Sequence, residues 1–280
     1  MKVTRNIEIQ GKHNKPILTD LFYYENEVPK EIVIFCHGYK GYKDWGAWNL
    51  IAEAFARENY FFIKMNFSHN GGTKEQPIDF PDLEAFGQNN FSIELDDLDT
   101  VISWIQNNEA YGHQVNASKI ALIGHSRGGG IVVLKAAADQ RISKVISWAG
   151  VSDFGSRFPT GVPLESWRDK GVDYILNART NQRMPHYFQF YTNFKENEAS
   201  LTIKTAAQDL AIPYLIVHGN NDETVTLKEA ESLNNWCTKS SLKIIHGANH
   251  TFGSSQPWEK NSLPEHLSEA LQHSLDFIKS

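Results

Sequence analysis

The sequence predicts an α/β fold in which a mostly parallel sheet is flanked by helices. Short runs of β-branched and aromatic residues alternate along the chain with stretches of helical periodicity. Several of these runs are apolar on both faces, as the strands of a buried parallel sheet require. No internal repeat or low-complexity segment interrupts the alternation.

The first two predicted strands, residues 3–9 and 17–24, are separated by Gly11, Asn14 and Pro16. These turn-forming residues indicate an antiparallel hairpin at one edge, so the sheet is expected to be mixed. Six further strands are predicted at residues 32–36, 60–67, 119–123, 144–148, 214–217 and 242–245. Helices are predicted at residues 45–57, 91–107, 128–138, 227–236 and 264–278, the last opened by Pro264.

Residues 151–208 break this alternation. The segment is rich in aromatic residues, carries no strand signal and is too long for a simple crossover between strands. Helical pieces are predicted near residues 164–170 and 182–196. We interpret the segment as a cap inserted over one end of the sheet, within a single domain of residues 1–280. A separate small domain or an oligomer interface is the alternative, because exposed aromatic surfaces commonly mark partner contacts.

Composition and charge exclude several classes of protein. A chain of 280 residues that is 41% hydrophobic and 21% charged is expected to bury a sizeable core in one large domain. Its net charge of −6 provides no positive excess for binding nucleic acid or an anionic membrane. Cys36 and Cys237 are too few for a disulfide scaffold or a zinc ribbon. No apolar run resembles a secretory signal or a membrane helix, so a cytoplasmic protein is expected.

A candidate nucleophile follows the strand predicted at residues 119–123. The chain there reads Gly124-His125-Ser126-Arg127-Gly128 and continues into an apolar helix. A serine at a sharp strand-to-helix turn needs flanking glycines, because a side chain at either position would collide with the neighbouring strand or helix. Neither a dinucleotide-binding Gly-x-Gly-x-x-Gly order nor a phosphate-binding Gly-Lys-Ser/Thr ending is present. The motif therefore predicts that Ser126 is an activated nucleophile.

Serine needs a base to accept its proton, and the base needs an orienting anion. Asp222 follows the strand at residues 214–217, and His250 follows the strand at residues 242–245. The order Ser, Asp, His is that of hydrolases with a nucleophile turn of this kind. Asp153 lies in a second possible place for the acid. His246 and His250 have the spacing of a metal pair, but they flank a glycine-containing loop and no Glu-x-x-His partner appears, so no metal is expected.

Two backbone amides are predicted to bind the oxyanion that forms when serine attacks a carbonyl. Gly38 lets the chain turn after the strand at residues 32–36, so that the amide of Tyr39 can face Ser126. The amide of Arg127 is the second predicted donor. His37 and His125 are predicted to line the substrate pocket. His125, His218 and His69 are expected to pack or form hydrogen bonds beside the site rather than to carry protons.

With these residues in place, the chain resembles the α/β-hydrolase superfamily over essentially its whole length. It is most similar to bacterial feruloyl and cinnamoyl esterases, which are related to the dienelactone hydrolase and prolyl oligopeptidase branches. Residues 66–72, Asn-Phe-Ser-His-Asn-Gly-Gly, depart from the Asp-x-x-Gly-His-Gly loop of many relatives, and dienelactone hydrolases proper carry a cysteine nucleophile. The resemblance to the esterases rests on cap residues, namely Trp167, Gly171, Met184-Pro185, Phe188, Phe190-Tyr191 and Phe194.

The resemblance implies that the cap shapes an acyl pocket for an aromatic acid, with Trp167, Met184 and Phe188 in its lining. The leading hypothesis is a serine carboxylic-ester hydrolase that acts on small esters without a cofactor. A peptidase or acyltransferase with the same triad is the second reading, although 280 residues leave no space for the gating domain of an oligopeptidase. A non-catalytic ligand receptor is the third. Neither nucleic acid nor membrane is an expected partner, and both monomer and homodimer remain open.

Overall fold

The computed structural model describes residues 1–280 and contains ten strands and nine α-helices. The strands are β1 (Lys2–Gln10), β2 (Pro16–Tyr23), β3 (Lys30–Cys36), β4 (Phe61–Asn66), β5 (Val115–His125), β6 (Ile142–Trp148), β7 (Val172–Asn177), β8 (Gln182–Tyr187), β9 (Tyr214–Gly219) and β10 (Ser240–Ile245). The helices are α1 (Trp48–Arg57), α2 (Leu83–Gln88), α3 (Phe91–Asn107), α4 (Arg127–Ala138), α5 (Val162–Lys170), α6 (Gln189–Glu196), α7 (Ile203–Asp209), α8 (Leu227–Trp236) and α9 (Glu265–Lys279).

Eight of the strands form one mixed sheet in the order β1-β2-β4-β3-β5-β6-β9-β10. β2 pairs antiparallel with both β1 and β4, and every other neighbouring pair is parallel. The predicted α/β fold and its antiparallel hairpin at the amino-terminal edge are therefore confirmed. Because β3, β5, β6, β9 and β10 run in the same direction, the loops that follow them lie at one edge of the sheet.

Helices cover both faces of the sheet because the side chains of each strand alternate between them. Ile32 and Ile34 of β3 belong to a buried cluster that includes residues of α3, α4 and α8. Val33 and Phe35 belong to a second cluster that includes residues of α1 and α9. The runs that are apolar on both faces thus correspond to strands buried on both sides. None of the helices combines the length and the apolar character needed to span a bilayer.

Helix α1 begins three residues later than predicted. Gly46 has a φ of +57°, which a right-handed helix does not allow, so residues 45–47 form a turn before the helix. Helix α2 was not predicted. It is short, and the Asp82 side chain caps it by accepting a hydrogen bond of 2.9 Å from the amide of Ala85.

The segment 151–208, which we call the cap segment, contains a hairpin that the sequence did not predict. Strands β7 and β8 pair antiparallel from Val172 opposite Tyr187 to Asn177 opposite Gln182. The prediction of one helix over residues 182–196 was therefore wrong, since only α6 at its end is helical. Pro185 explains the difference, because proline disrupts a helix interior but is tolerated in an edge strand.

Candidate active site

Ser126 lies in the turn between β5 and α4 with φ +56° and ψ −119°, a backbone conformation that is strained for a residue other than glycine. The motif glycines make this turn possible. A Cβ atom at Gly124 would lie 2.1 Å from the carbonyl oxygen of Gly128, and one at Gly128 would lie 2.5 Å from that of Cys36. The turn is held in place by the Ser126 amide, which donates a hydrogen bond of 2.9 Å to the Trp148 carbonyl.

Asp222 follows β9 and receives a hydrogen bond from His250. The Nδ1 atom of His250 is 2.8 Å from one carboxylate oxygen of Asp222. The other oxygen accepts hydrogen bonds of 2.9 Å from the amides of Thr224 and Val225. Burial alone would raise the pKa of Asp222, but the hydrogen bond and charge of His250 and the two amides lower it below its usual value. Asp222 is therefore ionised at neutral pH and fixes His250 with Nε2 free.

His125, the last residue of β5, contacts the loop that carries His250. Its Nε2 atom is 2.8 Å from the carbonyl oxygen of His250, and the two ring centroids are 4.9 Å apart. Burial lowers the pKa of His125 to about 3, so this imidazole is neutral and donates from Nε2. Ser126 and His250 line one cavity together with His125 and His37. The structure thus brings together the three residues predicted as a triad.

His246 and the alternative acid, Asp153, lie away from Ser126. Asp153 accepts hydrogen bonds from the amides of Gly155 and Ser156 in its own turn and does not line the cavity of Ser126. His246 lies on the surface beside Asn220. Asp222 is hydrogen-bonded to His250, whereas Asp153 makes no hydrogen bond to His250.

The two amides predicted to bind an oxyanion are available. Tyr39 follows β3, and its amide donates no hydrogen bond within the protein. Arg127 is the first residue of α4, so its amide has no acceptor within the helix. A Cβ atom at Gly38 would lie 2.8 Å from the Cβ of Ser126, so glycine is what permits the two loops to approach. The Nδ1 atom of His37 is 2.8 Å from the Gly38 carbonyl oxygen, so its imidazole supports the same loop.

A mainly apolar cavity of about 290 Å³ opens beside Ser126. Trp167 lines it, as predicted. Met184 does not, because it is fully buried in a separate cluster with Tyr42, Phe80 and Phe86. Phe188 is also absent from the lining, since it packs behind Trp167 with a ring centroid separation of 5.4 Å. The aromatic side chains that line the cavity are Tyr39, Phe91, Phe154, Phe158, Trp167, His186 and Phe190.

Sequence reasoning missed most of this lining. Phe91 begins α3 and Phe154 precedes the cap helices, yet their rings stack with centroids 3.8 Å apart. The side chain of Arg127 also lines the cavity, between the rings of Tyr39 and Phe190, at 4.5 and 5.3 Å from their centroids. Helical periodicity marks such residues as buried but does not say that they border a cavity.

Comparison with known proteins shows the family of the chain and its fold. The BD-FAE family model matches residues 20–237. An uncharacterised 31.7 kDa Escherichia coli protein from the traX-finO intergenic region is 26% identical over 223 residues, which are 74% of this chain and 69% of that protein.

Solved structures show the same fold. Est1E from Butyrivibrio proteoclasticus, determined with ferulic acid bound, is 17% identical with a TM-score of 0.71 over 98% of each chain. A putative dienelactone hydrolase from Klebsiella pneumoniae is 18% identical with a TM-score of 0.62 over 100% of this chain and 98% of that one. The chain therefore has the α/β-hydrolase fold and belongs to the BD-FAE family.

Proposed function

We propose that the protein is a serine hydrolase that cleaves carboxylic esters through an acyl-enzyme. The observation that carries this proposal is the strained turn that presents Ser126 in the same cavity as His250, whose other ring nitrogen is hydrogen-bonded to Asp222. A serine, a histidine and an ionised carboxylate in this order are the groups that acyl transfer requires. Membership of the BD-FAE family and the α/β-hydrolase fold agree with it.

In the proposed reaction, Nε2 of His250 takes the proton of the Ser126 hydroxyl while the serine oxygen attacks the ester carbonyl. Asp222 stabilises the imidazolium that forms and holds the ring in the required tautomer. The tetrahedral intermediate places its negative oxygen at the amides of Tyr39 and Arg127. The imidazolium then gives its proton to the departing alcohol, and water releases the acid from Ser126 by the same steps in reverse.

We propose further that the cap segment supplies the acyl pocket and that the acyl group is small and aromatic, such as a hydroxycinnamoyl group. Trp167 and Phe190 of the cap segment line the cavity together with Phe91 of α3, and aromatic faces of this kind suit a planar ring. Est1E, which has the same fold, was determined with ferulic acid bound. The aromatic lining therefore favours a hydroxycinnamoyl ester over a long alkyl one.

The experiment that tests the chemistry compares the protein with its Ser126→Ala variant. The wild type is expected to hydrolyse short p-nitrophenyl esters and to be labelled covalently by a fluorophosphonate, and the variant is expected to fold normally and do neither. Turnover retained by Ser126→Ala would overturn the serine mechanism. A wild type that is neither active nor labelled would favour a non-catalytic ligand receptor.

A substrate panel tests the specificity. Methyl esters of hydroxycinnamic acids are expected to give a higher kcat/KM than acetyl or long alkyl esters of comparable leaving groups. Preference for aminoacyl anilides would indicate a peptidase instead, and transfer of the acyl group to an added alcohol in preference to water would indicate an acyltransferase.

A further inference from the structure

The side chain of Tyr39 connects the loop after β3 to the cap segment. Its hydroxyl is 2.6 Å from Nε2 of His186 in β8, and both residues line the mainly apolar cavity beside Ser126. Nδ1 of His186 is 3.2 Å from the Pro185 carbonyl oxygen, which assigns the ring proton to Nδ1. Nε2 of His186 is then the acceptor and the Tyr39 hydroxyl the donor. A neutral imidazole is required, and burial provides it by lowering the pKa of His186 to about 4.

The ring of Tyr39 in turn lies against Arg127. The guanidinium carbon is 4.5 Å from the centroid of the Tyr39 ring, a cation–π distance. The same guanidinium forms an ion pair of 3.3 Å with buried Glu94 of α3. Tyr39 and Arg127 are the two residues whose amides we propose as oxyanion donors. Their side chains contact each other, and that of Tyr39 also contacts the cap segment.

His186 is itself fixed from two sides. The indole nitrogen of Trp167 donates a hydrogen bond of 2.7 Å to the His186 carbonyl. The imidazole stacks on Phe86 of α2 with centroids 5.5 Å apart and an angle of 17° between the planes. These two contacts fix the position of Nε2 of His186, which accepts the hydrogen bond from the Tyr39 hydroxyl.

Two side chains outside the turn also hold the loop that carries Tyr39: Nδ1 of His37 is 2.8 Å from the Gly38 carbonyl oxygen, and the Asn70 amide donates a hydrogen bond of 3.3 Å to the Gly41 carbonyl, but neither contacts Tyr39 itself. Lys40 adopts a φ of +52°, and the backbone bond within the turn is that from the Gly41 amide to the Gly38 carbonyl, 3.0 Å long. The amide of Tyr39 makes no bond that would orient it. Its direction must therefore come from neighbouring contacts, of which the side-chain bond to His186 is the shortest.

We propose that His186 is a positioning residue of the reaction, which fixes the oxyanion-binding amide of Tyr39 through the Tyr39 side chain. The cap segment would thus contribute to transition-state stabilisation as well as to the pocket. This inference rests on the proposed ester hydrolysis, because the amides matter only where an oxyanion forms.

The test uses Tyr39→Phe and His186→Phe, which remove the hydrogen bond but keep both rings. We expect each variant to lower kcat on a p-nitrophenyl ester about tenfold with KM changed less than about twofold, since the effect is confined to the transition state. Inhibition by a boronic acid, which forms a tetrahedral adduct with serine, is expected to weaken by a similar factor. The double variant should lose no more than either single variant, and His186→Gln, which keeps an acceptor, should recover most of the lost kcat.

Tyr187→Phe is the matched control. The Tyr187 hydroxyl also joins the cap segment to the body, through Glu84 of α2, but it does not line the cavity. Its removal should leave kcat within about twofold of the wild type. A loss in Tyr187→Phe equal to that in Tyr39→Phe would overturn the proposal, because docking of the cap segment alone would then explain both. Unchanged kcat in Tyr39→Phe and His186→Phe would overturn it as well.

Hydrogen exchange separates this proposal from that of ester hydrolysis. Tyr39→Phe and His186→Phe should accelerate amide exchange in residues 37–41, and Tyr187→Phe should not. This measurement can be made even if the wild type cleaves no ester, a result that would count against the proposed function alone. Unaltered exchange in residues 37–41 of both variants would show that the Tyr39 side chain does not hold the loop.

Discussion

At the scale of single residues, the environment of Asp222 distinguishes it from the other acids near the site. Three hydrogen bonds, one from His250 and two from backbone amides, stabilise its ionised form. Asp153 instead caps an exposed turn. The prediction of Ser126, Asp222 and His250 depended only on the order of the strands and on the residues just after them. That information is local, so it could be obtained from the sequence.

Asp222→Asn is therefore expected to reduce kcat by about 10³- to 10⁴-fold, because the amide favours the wrong histidine tautomer and cannot stabilise the imidazolium. Asp153→Asn should behave as the wild type. The comparison is a steady-state assay of both variants on one p-nitrophenyl ester. A severe loss in Asp153→Asn together with an active Asp222→Asn would move the acid to the other strand.

At the scale of elements, the loop after β3 must pass within contact distance of the turn between β5 and α4. The sequence predicted this approach from Gly38, but it did not predict the β7–β8 hairpin or the residues that line the cavity. The residues of β7 and β8 do not clearly favour strand over helix, and a two-stranded sheet is stable only when it packs against other parts of the molecule. Met184 illustrates the difficulty, because its burial was foreseeable but its neighbours were not.

Gly38→Ala is expected to lower kcat by about 10²-fold. The added methyl would lie 2.8 Å from the Cβ of Ser126 and 3.1 Å from the His125 carbonyl oxygen, so the loop must move and carry the Tyr39 amide away. Gly112→Ala is the control, since its nearest atom would be 3.7 Å away. If Gly38→Ala kept full activity, the Tyr39 amide could not be an oxyanion donor in the present geometry.

At the scale of the whole molecule, the α/β class and the two packed faces of the sheet were predicted from the alternation of strands and helices and from runs that are apolar on both sides, whereas the strand order was not predicted. A buried carboxyl group that the sequence did not single out affects the stability of this core. Asp97 of α3 is fully buried, and one of its oxygens accepts a hydrogen bond of 2.7 Å from the Ser68 amide. Burial raises the pKa of Asp97 to about 7, and the Ser68 amide offsets only part of that effect.

This shift predicts how stability depends on pH. In the folded protein Asp97 holds its proton up to about pH 7, whereas in the unfolded chain it loses the proton near its ordinary pKa of 3.8. The stabilisation is therefore complete below about pH 4 and is lost as pH rises through 7. Asp97→Asn, which resembles the protonated acid, should raise the melting temperature by about 2–4 °C at pH 8 and little at pH 4. If the difference in melting temperature between Asp97→Asn and the wild type is the same at both pH values, Asp97 does not have a raised pKa in the folded protein.

The cap segment leaves the sheet after β6 and returns at β9, and these two strands are direct neighbours. An exchange of everything between Trp148 and Tyr214 would leave every pairing of the eight-stranded sheet intact. Such an exchange would change the pocket lining contributed by the cap segment, while the strand order that places Ser126, Asp222 and His250 at one edge of the sheet would stay the same. Any replacement segment would also have to supply a hydrogen-bond acceptor for the Tyr39 hydroxyl, as His186 does here.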